Sequence, residues 1–364
     1  MGNDDNGEVR TWDTVKTDSK GKARMDDVTI CTSFIRQDCV LDCLRSIHKY
    51  VKSVSYKIVS VNQTIPNREF EEELYSLSDV VIRPHVNWGF SQSMNVAMRI
   101  APTPWICALN DDVLFIDDPF PGIFETFQRF ENAAAVCPQS VKEPGWGWGE
   151  PGYRYLVPQT YMNGGLKRLY DRDRELMLKV KKAKSAWEEF NRRPMRDAET
   201  GKQLLARLQG RQGKYEKVQA ELEAKVLELS YSREYIDALI AEKKWAVVDG
   251  FAMYAPVFRA DVLAEVGLFD EAFNAGGEDY DWLCRSAQAG YRNLSTSRSF
   301  LYHHWGKSKD DAGGFSTALP RARPPWNCLS TKGFGERGKW RDDVSVWGED
   351  WAVRTDPVVY RAPL

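Results

Sequence analysis

The sequence predicts an α/β fold, in which helices flank both faces of a mostly parallel sheet and an α-helical hairpin is inserted into the chain. Three observations lead to this prediction. Short β-rich apolar runs alternate with helix-like segments over residues 28–116. Two apolar runs stop abruptly, one on Asn110-Asp111-Asp112 and one on His303-His304. A charged stretch with heptad-like apolar spacing separates these two runs.

The elements are justified in chain order by their residue patterns. Strands rich in β-branched residues are expected at 28–35, 56–63, 79–84 and 105–116. Helical spacing of apolar residues predicts helices at 39–50, 69–77 and 91–100. Residues 245–256 return to a strand pattern, and residues 259–266 read as a short helix. Ligands of such sheets bind at the carboxyl ends of the strands.

Composition limits the class of protein. The chain has 364 residues, of which 43% are hydrophobic and 28% are charged. This apolar content is enough to form the core of one large or two medium domains. Its net charge of -2 argues against bulk attraction to nucleic acid or anionic lipid. The absence of a long apolar run and of an apolar leader predicts no transmembrane segment and a cytoplasmic location. The seven cysteines lack CxxC spacing, so we expect reduced, structural thiols.

The chain divides into four parts. We expect a flexible N-terminus at 1–26, a main domain at 27–164 and 245–317, a helical hairpin or coiled-coil insertion at 165–244, and a C-terminal segment at 318–364 that wraps over the domain.

The insertion repeats apolar residues every seven positions, with Arg193-Pro194 between its two arms. The first arm has Leu169, Leu176, Ala183 and Phe190, and the second has Leu208, Tyr215, Leu222 and Leu229. Three readings stay open: a solvated surface hairpin, an arm for homo-oligomerisation, or an arm that grips a large acceptor. A cluster of lysines favours the last reading slightly: Lys179, Lys181, Lys182 and Lys184.

The two polar strand ends predict a metal site. Carboxylate and imidazole ligands together suit a divalent cation such as Mn²⁺ or Mg²⁺. Asp112 and His303 are the candidate ligands, with His304 as the alternative. A histidine satisfied within the core is the competing interpretation.

Four motifs in order resemble those of GT-A glycosyltransferases, most closely the inverting enzymes of family 2. They are VNWGFSQSMN at 86–95, NDD at 110–112, GGED at 276–279 and H-x-x-G-x-S at 303–308. The GGED segment also resembles that of the beta-1,4-galactosyltransferases. The resemblance implies a GT-A, Rossmann-like fold and a nucleotide-sugar donor, with a UDP-sugar as the first candidate. It also implies a divalent metal at the position of the D-x-D motif, which Asn110-Asp111-Asp112 occupies.

The resemblance further implies the residues that bind the donor. They are Thr32, Ser33, Arg36, Asn62, Asn87, Gly89, Asn95, Asn110 and Asp111. Asn110 departs from the first acid of D-x-D, and Asn62 stands where the family usually has an acid. The first departure leaves open a catalytically weak or inactive sugar-nucleotide or glycan binding protein.

On the acceptor side, the resemblance makes Asp279 the catalytic base. Glu278 is its alternative, or both acids serve as a helix cap or an acceptor clamp. Asp281 and Arg285 are spaced as a helical ion pair, so a structural role competes with acceptor binding by Asp281. The other expected acceptor-binding residues are Gly277, Trp146 and Trp148, the last two in a glycine-rich loop that otherwise packs on the domain.

The sequence therefore predicts a metal-dependent glycosyltransferase of the hexosyltransferase type. The acceptor is expected to be a glycan, a protein or a modified nucleic acid. Nucleotidyl transfer is disfavoured because residues 31–38 lack the glycine-rich loop that it needs.

Overall fold

The computed structural model describes residues 27–34, 37–62, 66–84, 88–144, 153–192, 197–242, 245–248, 253–271, 277–305 and 352–354. Within these ranges the predicted α/β class is confirmed, and ten strands form one sheet with helices packed against it.

Strands and helices alternate in the first part of the chain. The strands are β1 (Asp27–Phe34), β2 (Ser55–Asn62), β3 (Val80–Ile82) and β4 (Trp105–Asn110). The helices are α1 (Gln37–Tyr50), α2 (Arg68–Leu77) and α3 (Gly89–Arg99). The strand expected at 105–116 is too long, because the chain turns at Asp111 and Asp112. Beyond the turn, β5 (Val113–Leu114) pairs with a distant strand.

The remaining described elements include several that the sequence analysis did not anticipate. The strands are β6 (Ala133–Ser140), β7 (Lys142–Pro144), β8 (Tyr153–Tyr155), β9 (Trp245–Val248), β10 (Val257–Arg259), β11 (Arg292–His303) and β12 (Ala352–Arg354). The helices are α4 (Phe120–Arg129), α5 (Gly164–Arg192), α6 (Ala198–Ser230), α7 (Arg233–Glu242), α8 (Ala260–Val266) and α9 (Glu278–Gln288). Of the expected strand at 245–256, β9 covers Trp245–Val248, residues 249–252 lie outside the described ranges, and residues 253–256 are not in a strand.

The sheet is mixed and contains two parallel blocks. In the first block, β1 pairs in parallel with β2 and β4, and β2 pairs in parallel with β3. In the second block, β6 pairs in parallel with β11. The short β10 lies between the blocks and is antiparallel to both β4 and β6. The strands of both blocks therefore run in one direction, and their carboxyl ends share one edge of the sheet.

Apolar side chains fill the space between the sheet and its helices. Ile30, Ile58, Leu109 and Val136 on four strands are fully buried in one cluster. Trp282 of α9 joins this cluster edge-on to Phe258, and its indole nitrogen donates to a main-chain carbonyl at 2.9 Å. The buried ring of Trp282, with its indole N–H hydrogen-bonded, holds α9 against the sheet.

The insertion has a base that packs on the main domain and an outer part with its own small core. Leu222 and Val226 of α6 are fully buried in a second cluster that also contains Tyr302 of β11. Farther along the arms, Met177, Val180 and Tyr215 form a third cluster. The seam between α5 and α6 contains the expected heptad residues. Ala183, Phe190, Tyr215 and Leu222 are buried, and the other four are partly buried.

The hydrophobic seam of the hairpin contains a carboxylate. Asp173 of α5 is only 8% exposed, and its Oδ1 has no hydrogen-bond partner among the described residues. Burial raises the pKa of Asp173 from 3.8 to about 6. The ionised carboxylate thus opposes the packing of the hairpin at neutral pH.

Other expectations about the chain ends fall on few described residues. Of the C-terminal segment at 318–364, only β12 is described, and it pairs in parallel with β9. Residues 1–26 lie outside the described ranges. None of the described helices is long and apolar enough to cross a membrane.

We predict that Asp173→Asn flattens the pH dependence of stability. Because the folded state binds the Asp173 proton more tightly than the unfolded chain, wild-type stability falls as the pH rises from about 4 to 6. The amide has no such loss, so the advantage of the variant should grow by about 1–3 kcal/mol between pH 4 and pH 7.5. Urea unfolding at both pH values measures this difference.

The matched control is Asp171→Asn on the exposed face of the same helix. Its difference from wild type should change by less than about 0.5 kcal/mol over the same range. A stability difference for Asp173→Asn that is independent of pH would show that this carboxyl group is not desolvated.

Candidate active site

The pairing of two strands brings an acid and a histidine together at the carboxyl edge of the sheet. The short β5 runs antiparallel to the end of β11, with Val113 opposite His303. Asp112 directly precedes β5, so its Oδ1 lies 2.9 Å from Nε2 of His303. The main-chain oxygen of Asp112 also accepts a hydrogen bond from the amide of His304, at 2.9 Å. The pair is therefore fixed by both side-chain and backbone contacts.

The imidazole of His303 is neutral in this environment. Burial lowers its pKa and outweighs the raising effect of Asp112. A neutral imidazole that donates Nε2–H to a carboxylate carries its lone pair on Nδ1. Nδ1 is buried and has no hydrogen-bond partner among the described residues. The rings of Tyr254 and Trp305 pack beside it, with centroids 4.9 and 4.2 Å away.

Asp112 and His303 are the side chains that could hold a divalent metal here. Their Oδ1–Nε2 spacing of 2.9 Å is that of a hydrogen bond, so Nε2 would bind a metal only after its proton moves to Nδ1. Among the described residues, no group of three His, Cys, Asp or Glu side chains converges as a ligand set. Mg²⁺ sites commonly use one or two carboxylates and complete the shell with phosphate and water. Asp112 supplies one such carboxylate.

The alternative ligand, His304, points elsewhere. Its Nδ1 lies 3.8 Å from Oε1 of Glu223 on α6, and its ring packs edge-on to Tyr302. Of the two histidines, the structure therefore brings His303 to Asp112.

Several residues expected to bind the donor do lie at the ends of neighbouring strands. Thr32 and Ser33 are near the end of β1, Asn62 ends β2, and Asn110 ends β4. Thr32 is fully buried, and its hydroxyl has no hydrogen-bond partner among the described residues. Asp111 is 6% exposed in the turn after β4. These polar groups share the edge that carries Asp112 and His303.

Gly89 starts α3 with a backbone angle that requires glycine. Its φ is +75°, a region that side chains with a Cβ rarely adopt. The first turn of α3 follows β3, so the amino end of this helix lies toward the same edge of the sheet.

Asn95 has a different position from the one expected. Its side-chain nitrogen donates to the carbonyl of Phe269 at 2.8 Å and to Glu271 at 3.1 Å. Its oxygen accepts from the amide of Phe269 at 3.0 Å. All three contacts hold residues 269–271 against α3. Asn95 therefore serves the fold instead of facing a donor.

The acidic motif begins α9. Gly277, with φ of +104°, precedes Glu278 and Asp279 in the first turn. A tight turn joins α9 to β11 and reverses the chain. The amino end of α9 therefore lies toward the carboxyl end of β11, where His303 is located.

The next acid, Asp281, forms a buried ion pair that holds helices together. It is fully buried and pairs with Nε of Arg285 at 2.8 Å. Arg285 in turn donates to the carbonyls of Val266 and Leu268. This network joins α9 to the end of α8, in agreement with the structural interpretation and not with acceptor binding.

Four candidate residues lie outside the described ranges: Arg36, Asn87, Trp146 and Trp148. In contrast, the structure adds residues that the sequence analysis missed. Gln139 near the end of β6 is buried with an unpaired Oε1 among the described residues, and Ser140 Oγ accepts from the amide of His303 at 3.2 Å. The sequence analysis could have found these two residues only by predicting a strand at 133–140.

Residues 29–184 match the family described as Glycosyl transferase family 2, which supports a glycosyltransferase. No curated protein matches the chain.

Two solved structures are similar over much of this chain. One is the mannosyltransferase PcManGT from Pyrobaculum calidifontis in complex with GDP-Man and Mn²⁺, at 14% identity, 78% coverage of this chain, 57% of that chain and a TM-score of 0.42. The other is S. aureus TarS 1-349 in complex with UDP, at 11% identity, 76% and 60% coverage and a TM-score of 0.39. This chain thus spans less than two thirds of the length of either structure.

We predict that Asn95→Ala destabilises the protein without weakening nucleotide binding. The substitution leaves the buried amide and carbonyl of Phe269 unpaired, which costs roughly 2–4 kcal/mol. Affinity for UDP, measured by calorimetry where both proteins are folded, should stay within about twofold of wild type.

Gln203→Ala on the exposed side of α6 is the control, and it should change neither property. A large loss of UDP affinity with unchanged stability would return Asn95 to the donor site.

Proposed function

We propose that this protein is a metal-dependent glycosyltransferase that moves a sugar from a nucleoside diphosphate sugar to an acceptor hydroxyl with inversion. A UDP-sugar is the first candidate for the donor. The observation that carries the proposal is the pairing of Asp112 with a neutral, buried His303 at the carboxyl edge of the sheet. The family match over residues 29–184 supports the same reaction class.

The donor side of the site uses the ends of β1, β2 and β4. Thr32, Ser33 and Asn62 offer hydroxyl and amide groups for the base and ribose, and Asn110 and Asp111 lie beside the diphosphate in this arrangement. Gly89 and the amides of the first turn of α3 lie at the same edge and attract an anion. A divalent cation, Mn²⁺ or Mg²⁺, held by Asp112 and His303, would offset the charge of the leaving diphosphate.

The acceptor side depends on Asp279. A sugar or peptide hydroxyl is a poor nucleophile until a positioned carboxylate takes its proton. In the proposed step, the acceptor oxygen bonds to the anomeric carbon as the bond from that carbon to the diphosphate breaks. The hydroxyl proton passes to Asp279, and attack opposite to the leaving group inverts the configuration. Glu278, buried beside Asp279, is the alternative base.

The acceptor is proposed to be a glycan, a protein or a modified nucleic acid, and the hairpin is proposed to capture it or to join two copies of the chain. All four lysines of the cluster at 179–184 are exposed. Lys179 and Lys184 are paired with Glu175 and Glu188 along the helix. The arm therefore presents mixed charge, which supports no single acceptor class. A cytoplasmic location remains part of the proposal.

We predict that nucleoside diphosphate sugars raise the melting temperature only when manganese is present. A ligand that binds only the folded state stabilises it, and the stabilisation grows with the logarithm of the ligand concentration relative to Kd. A thermal-shift panel of UDP- and GDP-sugars, with and without Mn²⁺, tests this. Asp112→Asn keeps an acceptor for His303 but removes the charge, so it should abolish the manganese-dependent shift. Asp42→Asn, an exposed control, should retain it.

The panel also separates the two functional hypotheses. A manganese-dependent shift without donor hydrolysis or transfer would favour the binding protein that has lost turnover. No shift with any donor would overturn the proposed function.

We predict that Asp279→Asn lowers turnover by at least about a hundredfold, the usual contribution of a positioned acid or base. Donor affinity should change little, because the base acts on the acceptor. Single-turnover donor hydrolysis or transfer, together with calorimetry of donor binding, measures both properties. Glu278→Gln is the matched comparison, and the opposite ranking of the two variants would reassign the base to Glu278.

A further inference from the structure

The helical insertion supplies a carboxylate to the main domain next to the candidate active site. Glu223 of α6 follows the fully buried Leu222 and faces the second hydrophobic cluster. Its Oε1 accepts hydrogen bonds from Nζ of Lys142 at 2.7 Å and from the hydroxyl of Tyr302 at 2.6 Å. Its Oε2 accepts from the hydroxyl of Tyr155 at 3.2 Å. Three elements of the main domain therefore converge on one side chain of the insertion.

Lys142 links Glu223 to the backbone beside His303. Its side chain is only 5% exposed. Besides the bond to Glu223, its Nζ donates to the main-chain oxygen of His304 at 3.1 Å. The ammonium also lies 4.2 Å from the ring centroid of Tyr153. A buried ammonium in this position needs a carboxylate partner, since its charge is otherwise uncompensated.

The carboxylate of Glu223 is ionised throughout the physiological pH range. Burial by itself raises the pKa of Glu223, but His304, Lys142 and Tyr302 together lower it to about 2. The contact with Lys142 is therefore a permanent ion pair.

The backbone after His303 has a conformation that must be held in place. Trp305 has φ of +59°, the left-handed region, which costs a residue with a Cβ about 1–2 kcal/mol. Its indole nitrogen donates to the carbonyl of Lys142, and its own carbonyl accepts from the hydroxyl of Tyr153 at 2.8 Å. On the other side, Asp112 accepts from the amide of His304. The segment 303–305 is thus held between Asp112 and the group formed by Glu223 and Lys142.

We propose that Glu223 is a positioning residue for His303. Through Lys142 and Tyr302, it fixes the backbone at 303–305 and keeps the imidazole against Asp112. The consequence for metal affinity rests on the proposed function. The insertion then contributes to the active site, besides any role of its outer part in capturing an acceptor or a second copy.

A purely structural role for Glu223 makes a different prediction. In that case its loss would lower stability, but the folded protein would keep the same arrangement at His303. The experiment therefore needs a readout of the imidazole itself in addition to stability.

The variant is Glu223→Gln in the full chain, which preserves size but removes the charge that faces Lys142. Leu222→Ala is the matched control, because it weakens packing on the same turn of α6 while every side chain that hydrogen-bonds to Glu223 stays in place. Tyr302→Phe is a second, isosteric variant that removes only the 2.6 Å hydrogen bond. It keeps the proposal testable if Glu223→Gln fails to fold.

The first readout is metal-free. The chain has four histidines, so selective ¹⁵N-histidine labelling gives few imidazole signals to assign by NMR. In wild type, His303 should appear as the Nε2–H tautomer bonded to Asp112. In Glu223→Gln, and more weakly in Tyr302→Phe, this signal should shift or broaden, whereas Leu222→Ala should leave it unchanged.

The second readout is Mn²⁺ affinity in the presence of UDP, measured by calorimetry at a temperature where each variant is folded. Glu223→Gln should weaken it by about 10–100-fold, the usual effect of losing a residue that orients a ligand. Leu222→Ala should stay within about twofold of wild type.

Unchanged His303 signals and unchanged Mn²⁺ affinity in Glu223→Gln would overturn the proposal, as would equal effects of Leu222→Ala. Failure of wild type to bind Mn²⁺ would instead refute the proposed metal site. The NMR comparison would still decide whether Glu223 positions His303.

Discussion

The antiparallel pairing of two residues, Val113 and Leu114, with the end of β11 determines the geometry of the candidate site. The first parallel block ends at Asn110, and the chain must leave the sheet there for this pairing to form. The turn that results carries Asp111 and Asp112 at low exposure. Without this pairing, Asp112 and His303 would be carried on separate strands that are not neighbours in the sheet order. The site is therefore built by a local departure from the parallel pattern.

The base and the outer part of the insertion are stabilised by different interactions. Its base shares a hydrophobic cluster and a buried ion pair with the main domain, so the attachment combines apolar area with a charge that is costly to leave unpaired. Its outer part has a small separate core. At neutral pH, Asp173 weakens the packing between α5 and α6. The outer arm can therefore change its packing while the base stays fixed.

The sequence predicted those features of the fold that depend on residues close together in the chain. An apolar run that stops on Asp112, or on His303, locates a strand end within a few residues, and the predicted fold class follows from the order of such runs. Contacts between distant residues gave no such signal. Asn95 bonds to Phe269 far along the chain, and Glu223 bonds to Lys142 across the insertion. The heptad series located much of the hairpin seam, but it gave no sign that the seam also buries the carboxylate of Asp173.

The arrangement of the sheet in two parallel blocks also sets an order of assembly during synthesis. The first block is complete once Asn110 has been made, and its longest-range pairing, between β1 and β4, joins Val28 to Trp105. The second block needs β6 and β11, which are separated by about 150 residues that include the entire hairpin, a separation that slows folding. Until β10 arrives, β4 exposes an unpaired edge to other chains. The nascent protein therefore passes through a stage at which that edge is open to aggregation, and chaperone dependence should concentrate there.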